Sequence, residues 1–267
     1  MRPLMNFAVI GAILFASSPG FASETDDRIE SAVKNTYVFK THLKEDSIKV
    51  KSADGVVQLT GTVASDANKS LAAETVGNLP GVKRVDNQLA INADSPAEYS
   101  DGWLTLKVKS ALMFHRNVSA IDTQVTTDNG TVTLRGEAAN RAQKELTTEY
   151  AQDITGVKAV KNEMTLAKAP AKTPAKAKQD MAEKIDDASI TAQIKASLAL
   201  HRSTSAINTK VQTTDGVVTV SGVAKNAAEK SLVSKLVNDI HGVSKVINDM
   251  TITPVVAPAA AAASAAK

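Results

Sequence analysis

Three glycines repeat on one ruler along this chain, and that constrains its fold more than any other feature. Gly55, Gly61 and Gly81 are separated by six and twenty residues, and the same intervals recur at Gly130, Gly136 and Gly156 and again at Gly216, Gly222 and Gly242. Six residues beyond the last glycine of each set stands an asparagine: Asn87, Asn162 and Asn248. Segments that align without gaps at fixed offsets are copies of one structural unit, and a unit of about 70 residues is a small domain. Only 3% of the residues are aromatic and 43% are hydrophobic, so each core must be built from Val, Ile, Leu and Ala.

Each copy opens with apolar residues four apart: Ile29, Val33 and Tyr37, then Leu104, Val108 and Leu112, then Ile190, Ile194 and Leu198. That is the apolar stripe of a helix, and Asp26, Asp101 and Asp187 lie where an N-cap or first-turn acid favours its start. Short alternating segments follow around Val50, Val125 and Val211, each ending in Asp54-Gly55, Asn129-Gly130 or Asp215-Gly216. Such pairs tolerate positive φ at both centres, as a two-residue hairpin requires, so a returning strand is expected over Val56–Thr60 and its equivalents. A second helix is predicted from Ser65, Asn140 and Asn226, with Gln143 and Glu229 in capping-box spacing, ending at Gly81, Gly156 and Gly242 as left-handed C-caps. A last strand carries Val82, Val85, Leu89 and Ile91.

The expected fold class is therefore α+β: three tandem αββαβ modules, each with two helices on one face of a small three-stranded mixed sheet.

Around the modules the composition changes. Residues 1–22 read as a signal peptide: Arg2, an apolar run from Phe7 to Phe15, and Gly20-Phe21-Ala22 before cleavage after Ala22. Nine apolar residues are too few to span a bilayer, which needs about 20. Module one is assigned to 23–92, module two to 98–166 and module three to 180–253. An Ala/Lys/Pro linker occupies 167–179, and an Ala-rich tail expected to be disordered occupies 254–267. The shorter link predicts that modules one and two are the coupled pair, with module three on a tether. The chain is expected to be exported, with no membrane-spanning helix in the mature protein. The absence of cysteine excludes a lipid-modified N-terminus, disulfides and thiolate metal sites. Without Arg2 and the linker residues Lys168, Lys172, Lys176 and Lys178, the formal charge of +3 falls to near neutral, and no basic stripe suggests nucleic acid.

The Asp-Gly or Asn-Gly turn, the strand glycine and the Gly-Val-x-x-Val-x-Asn run at 81–87 and 156–162 together resemble the BON domain family. Module three departs slightly, with Val246-Ile247-Asn248 in the same places. The resemblance implies the αββαβ fold, a bacterial periplasmic or envelope location, with the periplasm the expected one, and peripheral binding of phospholipid membranes under osmotic or other envelope stress. The motif residues themselves have structural roles, the glycines as turn and cap positions and the asparagine as a local backbone partner.

No catalytic, cofactor or metal site is expected. His115 and His201 occupy equivalent positions, each before an arginine, but module one has Lys40 there; they read as cationic residues at a helix C-terminus. No phosphate loop or nucleophile elbow is present, so neither an enzyme nor a small-molecule substrate is expected. The candidate lipid- or partner-binding residues are Trp103, Lys107, Met113, Phe114 and Arg116, all in or next to the first helix of module two. Trp103 replaces Arg28 and Ser189 of the other copies, and a tryptophan flanked by basic residues suits a membrane interface. The competing readings are a protein-binding or chaperone-like adaptor for exported proteins, and a spacer tethered to cell-wall polymer.

Overall fold

The computed structural model describes residues 24–92, 96–120, 122–167, 185–204 and 206–252. The signal peptide, most of the Ala/Lys/Pro linker and the tail lie outside them.

Module one comprises α1 (Glu24–Asn35), α2 (Tyr37–Thr41), β1 (Ser47–Ala53), β2 (Val56–Val63), α3 (Asp66–Gly77) and β3 (Arg84–Ile91). Module two comprises α4 (Asp101–Phe114), β4 (Thr123–Asp128), β5 (Thr131–Ala138), α5 (Arg141–Gln152), β6 (Ala159–Asn162) and β7 (Thr165–Leu166). Module three comprises α6 (Asp187–Leu200), a 3-10 turn at Ala206–Asn208, β8 (Thr209–Thr214), β9 (Val217–Ala224), α7 (Ala227–Asn238), β10 (Lys245–Asn248) and β11 (Thr251–Ile252). In every module a hairpin pairs antiparallel and the final strand joins its second strand in parallel. The αββαβ order and mixed sheet are those expected. Inward residues of the sheet (Val50, Val57, Leu59, Leu89) meet the apolar stripes of the helices, while Lys49, Lys51 and Gln58 line the open face.

The repeated residues hold this unit together by three devices. The hairpin turns have positive φ at both centres, as at Asp215 (50°) and Gly216 (73°). The first-turn aspartate does more than favour its own helix: Asp187 accepts the N–H groups of Asp215 and Gly216 at 2.7 and 2.9 Å, so helix and turn are tied by a carboxylate. Asp101 does the same at Asn129 and Gly130. Asp26 takes Asp54, Gly55 and the Ser52 hydroxyl, which together hold its carboxyl below the usual range, Ser52 contributing most.

The motif asparagine staples the last strand to the second helix. Asn162 Nδ2 donates to the carbonyl of Lys144 (2.9 Å) and to Thr148 Oγ1 (2.7 Å), and its Oδ1 accepts the Met164 N–H (2.9 Å). Asn248 repeats the pattern, again capturing the N–H two residues on (3.0 Å). Asn87 holds the corresponding Leu89 N–H more loosely, at 3.3 Å, and β3 stays unbroken, whereas β6/β7 and β10/β11 are interrupted there. Replacing Asn162 by Ala is expected to cost about 1–3 kcal/mol, because a backbone carbonyl and a backbone N–H lose their partner together. Urea denaturation is the measurement.

Two details differ from expectation. The second helices stop at Gly77, Gln152 and Asn238, short of the predicted glycine caps. Gly81, Gly156 and Gly242 lie beyond, at φ of 87°, 99° and 88°, where they turn the chain into the last strand beneath Ile29, Leu104 and Ile190. The first helix of module one is broken: Thr36 caps α2, its hydroxyl bonded to Val33 O, and Tyr37 is only half-buried while Val38 takes the core position. The N–H groups exposed by the break are taken by module three, Tyr37 by Asp186 Oδ2 (2.8 Å) and Val38 by Ser189 Oγ (3.1 Å).

Those two bonds announce how the modules are arranged, and they correct the expectation that modules one and two form the coupled pair. Module three sits between the others. Helix α6 is buried on nearly every side, since Ala188, Ser189, Ala192, Gln193 and Ser197 are buried as well as its own apolar stripe. Small side chains on those outer faces let α3 of module one and α4 of module two approach closely. Linker length set only what was reachable; surface complementarity selected the partner.

Candidate functional site

The five residues singled out in the sequence divide between two places. At the start of α4, Ser100 caps the helix by accepting the Trp103 N–H (3.2 Å), and Tyr99 adopts φ of 63°, which brings its ring to 5.1 Å from that of Trp103. Tyr99 is 71% exposed. Trp103 is half-buried over Gly156, and Lys107, one turn on, sets its ammonium 4.2 Å from the Trp103 ring centre. Burial lowers the Lys107 pKa, partly offset by Glu98. Next to this corner a shallow groove of about 420 Å³ runs past Tyr99, Asp101, Asn129 and Lys158. The corner has no counterpart in the other modules, where Glu24, Arg28 and Ala32, or Ile185, Ser189 and Gln193, stand in its place.

Met113 is exposed but lies ten residues from Trp103, about 15 Å along the helix. Phe114 and Arg116 are engaged by other modules, Phe114 buried and Arg116 exposed but held, which corrects their assignment to one patch with Trp103. Phe114 is 3% exposed, in edge contact with the His42 ring of module one, and its carbonyl accepts the His241 N–H. The Arg116 guanidinium bonds the carbonyls of Val243 and Asn238 in module three, and its backbone N–H donates to the Asp239 carbonyl (2.9 Å).

These contacts belong to a junction that repeats itself about a pseudo-twofold axis between modules two and three. Arg202 donates its backbone N–H to the Asp153 carbonyl (2.9 Å) as Arg116 does to Asp239. The His115 ring faces Asp239 at 3.4 Å and the His201 ring faces Asp153 at 3.1 Å. Asn117 and Ser203 bond the second oxygens of those same carboxylates. Short antiparallel bridges join His115 to Ile240 and Ile154 to His201. At the centre Tyr150 stacks on His115 (4.0 Å) and donates its hydroxyl to Asp239 (2.6 Å).

The electrostatics follow from burial. Desolvation pushes the His115 pKa down against the pull of Asp239, so its ring is neutral, contrary to the expected cationic helix-end role. Burial, the Asp239 hydrogen bond and its charge raise the Tyr150 phenol. At Asp153, burial works upward, but hydrogen bonds from His201 and Ser203 and the charge of Arg202 bring it below the usual carboxylate range. The signal for this junction was present in the sequence: His-Arg at 115–116 and 201–202 with Asp153 and Asp239, against Lys40, Thr41 and Asn78 in module one.

Nothing in this geometry forms a nucleophile, an acid/base pair open to a substrate, or a cluster of three or more metal-ligating side chains among the described residues. No described helix is long and apolar enough to cross a membrane. The family model described as "BON domain" matches residues 25–93, 100–168 and 186–254. The chain belongs to the BON family.

Osmotically-inducible protein Y of Escherichia coli is 29% identical over 204 residues, covering 76% of this chain and 96% of that protein. Outer membrane lipoprotein DolP of Haemophilus influenzae is 33% identical over 138 residues, covering 51% of this chain and 71% of its own. The 21 kDa hemolysin of Actinobacillus pleuropneumoniae is 31% identical over 142 residues, with the same shares. The BON glycines and asparagines of all three modules thus serve turns and helix staples, and Gly61, Gly136 and Gly222 leave room for a neighbouring backbone carbonyl.

Proposed function

We propose that this BON protein is an exported, non-enzymatic component of the bacterial envelope's response to osmotic stress, and that it binds phospholipid surfaces peripherally. The names of its relatives, one osmotically inducible and one an outer membrane lipoprotein, support the setting. The observation that carries the lipid reading is the Tyr99, Trp103 and Lys107 corner. It pairs two amphipathic rings with an ammonium at one corner of module two. Rings of this kind settle at the headgroup level, where the lysine meets anionic lipid.

Flotation of the mature protein with anionic and neutral vesicles tests this, alongside Trp103→Ser. Binding to anionic vesicles is expected to fall at least tenfold in the variant, with its circular dichroism unchanged. Binding that is absent from both proteins rejects the lipid role, and binding that is equal in both rejects the Trp103 corner as its site.

A second reading, a protein-binding or chaperone-like adaptor, is favoured by β3. Its eight residues pair only with β2 among the described strands and end on exposed Ile91, leaving one edge that could accept a partner's extended segment. Suppression of client aggregation without lipid would support that alternative.

A further inference from the structure

All four histidines of the chain meet where the three modules meet: His42 of module one, His115 of module two, and His201 and His241 of module three. His42 is the pivot. It closes α2, and its ring lies edge-on to Tyr37 of its own module (5.7 Å) and to Phe114 of module two (5.3 Å). From α6 it is faced by the neutral Gln193, and from the segment after α7 by His241. Its buried Nε2 has no hydrogen bond of normal geometry; Gln193 only partly offsets the effect of burial on the ring, and no carboxylate is among these neighbours. In modules two and three the equivalent positions hold Asn117 and Ser203, which bond to Asp239 and Asp153. Module one alone puts a titratable ring there and gives it no anion.

The neighbouring rings are differently served. His115 is faced by Asp239, Ser197, Tyr150 and the other two histidines. His201 is faced by Asp153, with Arg202 on the same carboxylate and Tyr150 at its edge. Arg116 is engaged on carbonyls, Glu149 reaches only Tyr150, and the Lys195 and Glu74 pair ties α6 to α3 farther along. The His201 ring has an anion beside it; the His42 ring has two aromatic rings, an amide and another imidazole.

We propose that this junction is an acid-released clasp, in which a neutral His42 seated between Tyr37 and Phe114 holds module one on the other two and lets go when the ring is protonated. Release parts the His42 ring from Phe114, an apolar residue that is 3% exposed while the modules are docked. The sign is set by the seat. Burial lowers the His42 pKa from 6.5 to about 4. Above 6.5 the ring is neutral whether docked or free. Between 6.5 and 4 the free form takes up a proton that the docked form refuses, so docking weakens through that window and levels off below it. His115 shifts in the same direction. The His42 change alone reduces the docking constant on the order of a hundredfold.

The test uses the full mature chain with a fluorophore pair on Lys49→Cys and Lys210→Cys, two exposed positions in modules one and three of a protein that has no other cysteine. Energy transfer is expected to fall between pH 7 and 4.5 while far-ultraviolet circular dichroism holds, and His42→Phe is expected to abolish the fall. His42→Gln, neutral throughout, serves the same purpose should the phenylalanine variant not fold. Transfer that stays constant to pH 4.5 overturns the proposal. So does transfer lost only together with secondary structure, or release of the His42 variants at the same pH as the parent.

Discussion

Gly222→Ala is expected to unfold module three under conditions where the parent is fully native, at a cost of at least about 4 kcal/mol. Gly222 has φ of 127°, and a Cβ placed on it would stand 1.9 Å from the carbonyl oxygen of Asn208. Two faults therefore coincide: a conformation that disfavours an L side chain, and a collision with backbone of the paired strand, which cannot rotate away as a side chain could. Because α6 is the surface on which modules one and two both rest, the loss should spread. Thermal unfolding followed by circular dichroism should show one early transition that includes more than the third module. Gly77→Ala is the control: at the end of α3, its new methyl would meet Val85 at an ordinary 3.8 Å, so stability should be unchanged or slightly raised. A Gly222→Ala protein as stable as the control would contradict the close backbone approach at that glycine.

Asp239→Ala is expected to cost about 3 kcal/mol and to separate modules two and three before either loses its own fold. The carboxylate is almost fully buried; it accepts the Tyr150 hydroxyl and the Asn117 amide and faces His115, so truncation strands several polar groups at once. Its pseudo-twofold mate Asp153 is less enclosed, at 19% side-chain exposure, and no tyrosine donates to it; Leu236 stands where Tyr150 does. Asp153→Ala should therefore cost about 1–2 kcal/mol. A double-mutant cycle with Tyr150→Phe isolates the central bond: the phenylalanine change should be costly in the parent and nearly neutral beside Asp239→Ala. Additive effects would mean that the hydroxyl and carboxylate are not coupled across the interface.

Much of a single module was legible in the residues because its determinants are local. A hairpin needs two residues at positive φ, and Asp54-Gly55, Asn129-Gly130 and Asp215-Gly216 supply them. Helix starts need a short polar side chain, and Ser65, Asn140 and Asn226 do accept the N–H three residues on. Even here local reasoning stopped short. The capping-box residues Gln143 and Glu229 reach back to the N–H of Ala139 and Lys225, one residue before the cap, and the first-turn aspartates clamp turns far away in the chain. For the candidate site, the Trp103 and Lys107 corner could be seen as an anomaly among aligned copies. Phe114 could not be told from a surface residue, nor Arg116 from an unengaged one, because what covers the first and holds the second comes from other modules.

Repetition and turn chemistry, both properties of neighbouring residues, are thus enough to specify three BON modules from the sequence by itself. Their arrangement was decided only in tertiary structure. Helix periodicity reports which face of α6 meets its own sheet, but its opposite faces carry Ala, Ser and Gln, residues as compatible with water as with burial. Whether such a face is covered depends on the shape and hydrogen-bonding needs of a surface distant in the chain: a broken helix in module one that leaves two N–H groups to satisfy, and a carboxylate in module three that matches a histidine in module two. Those are pairwise properties of surfaces, and no single stretch of sequence contains them.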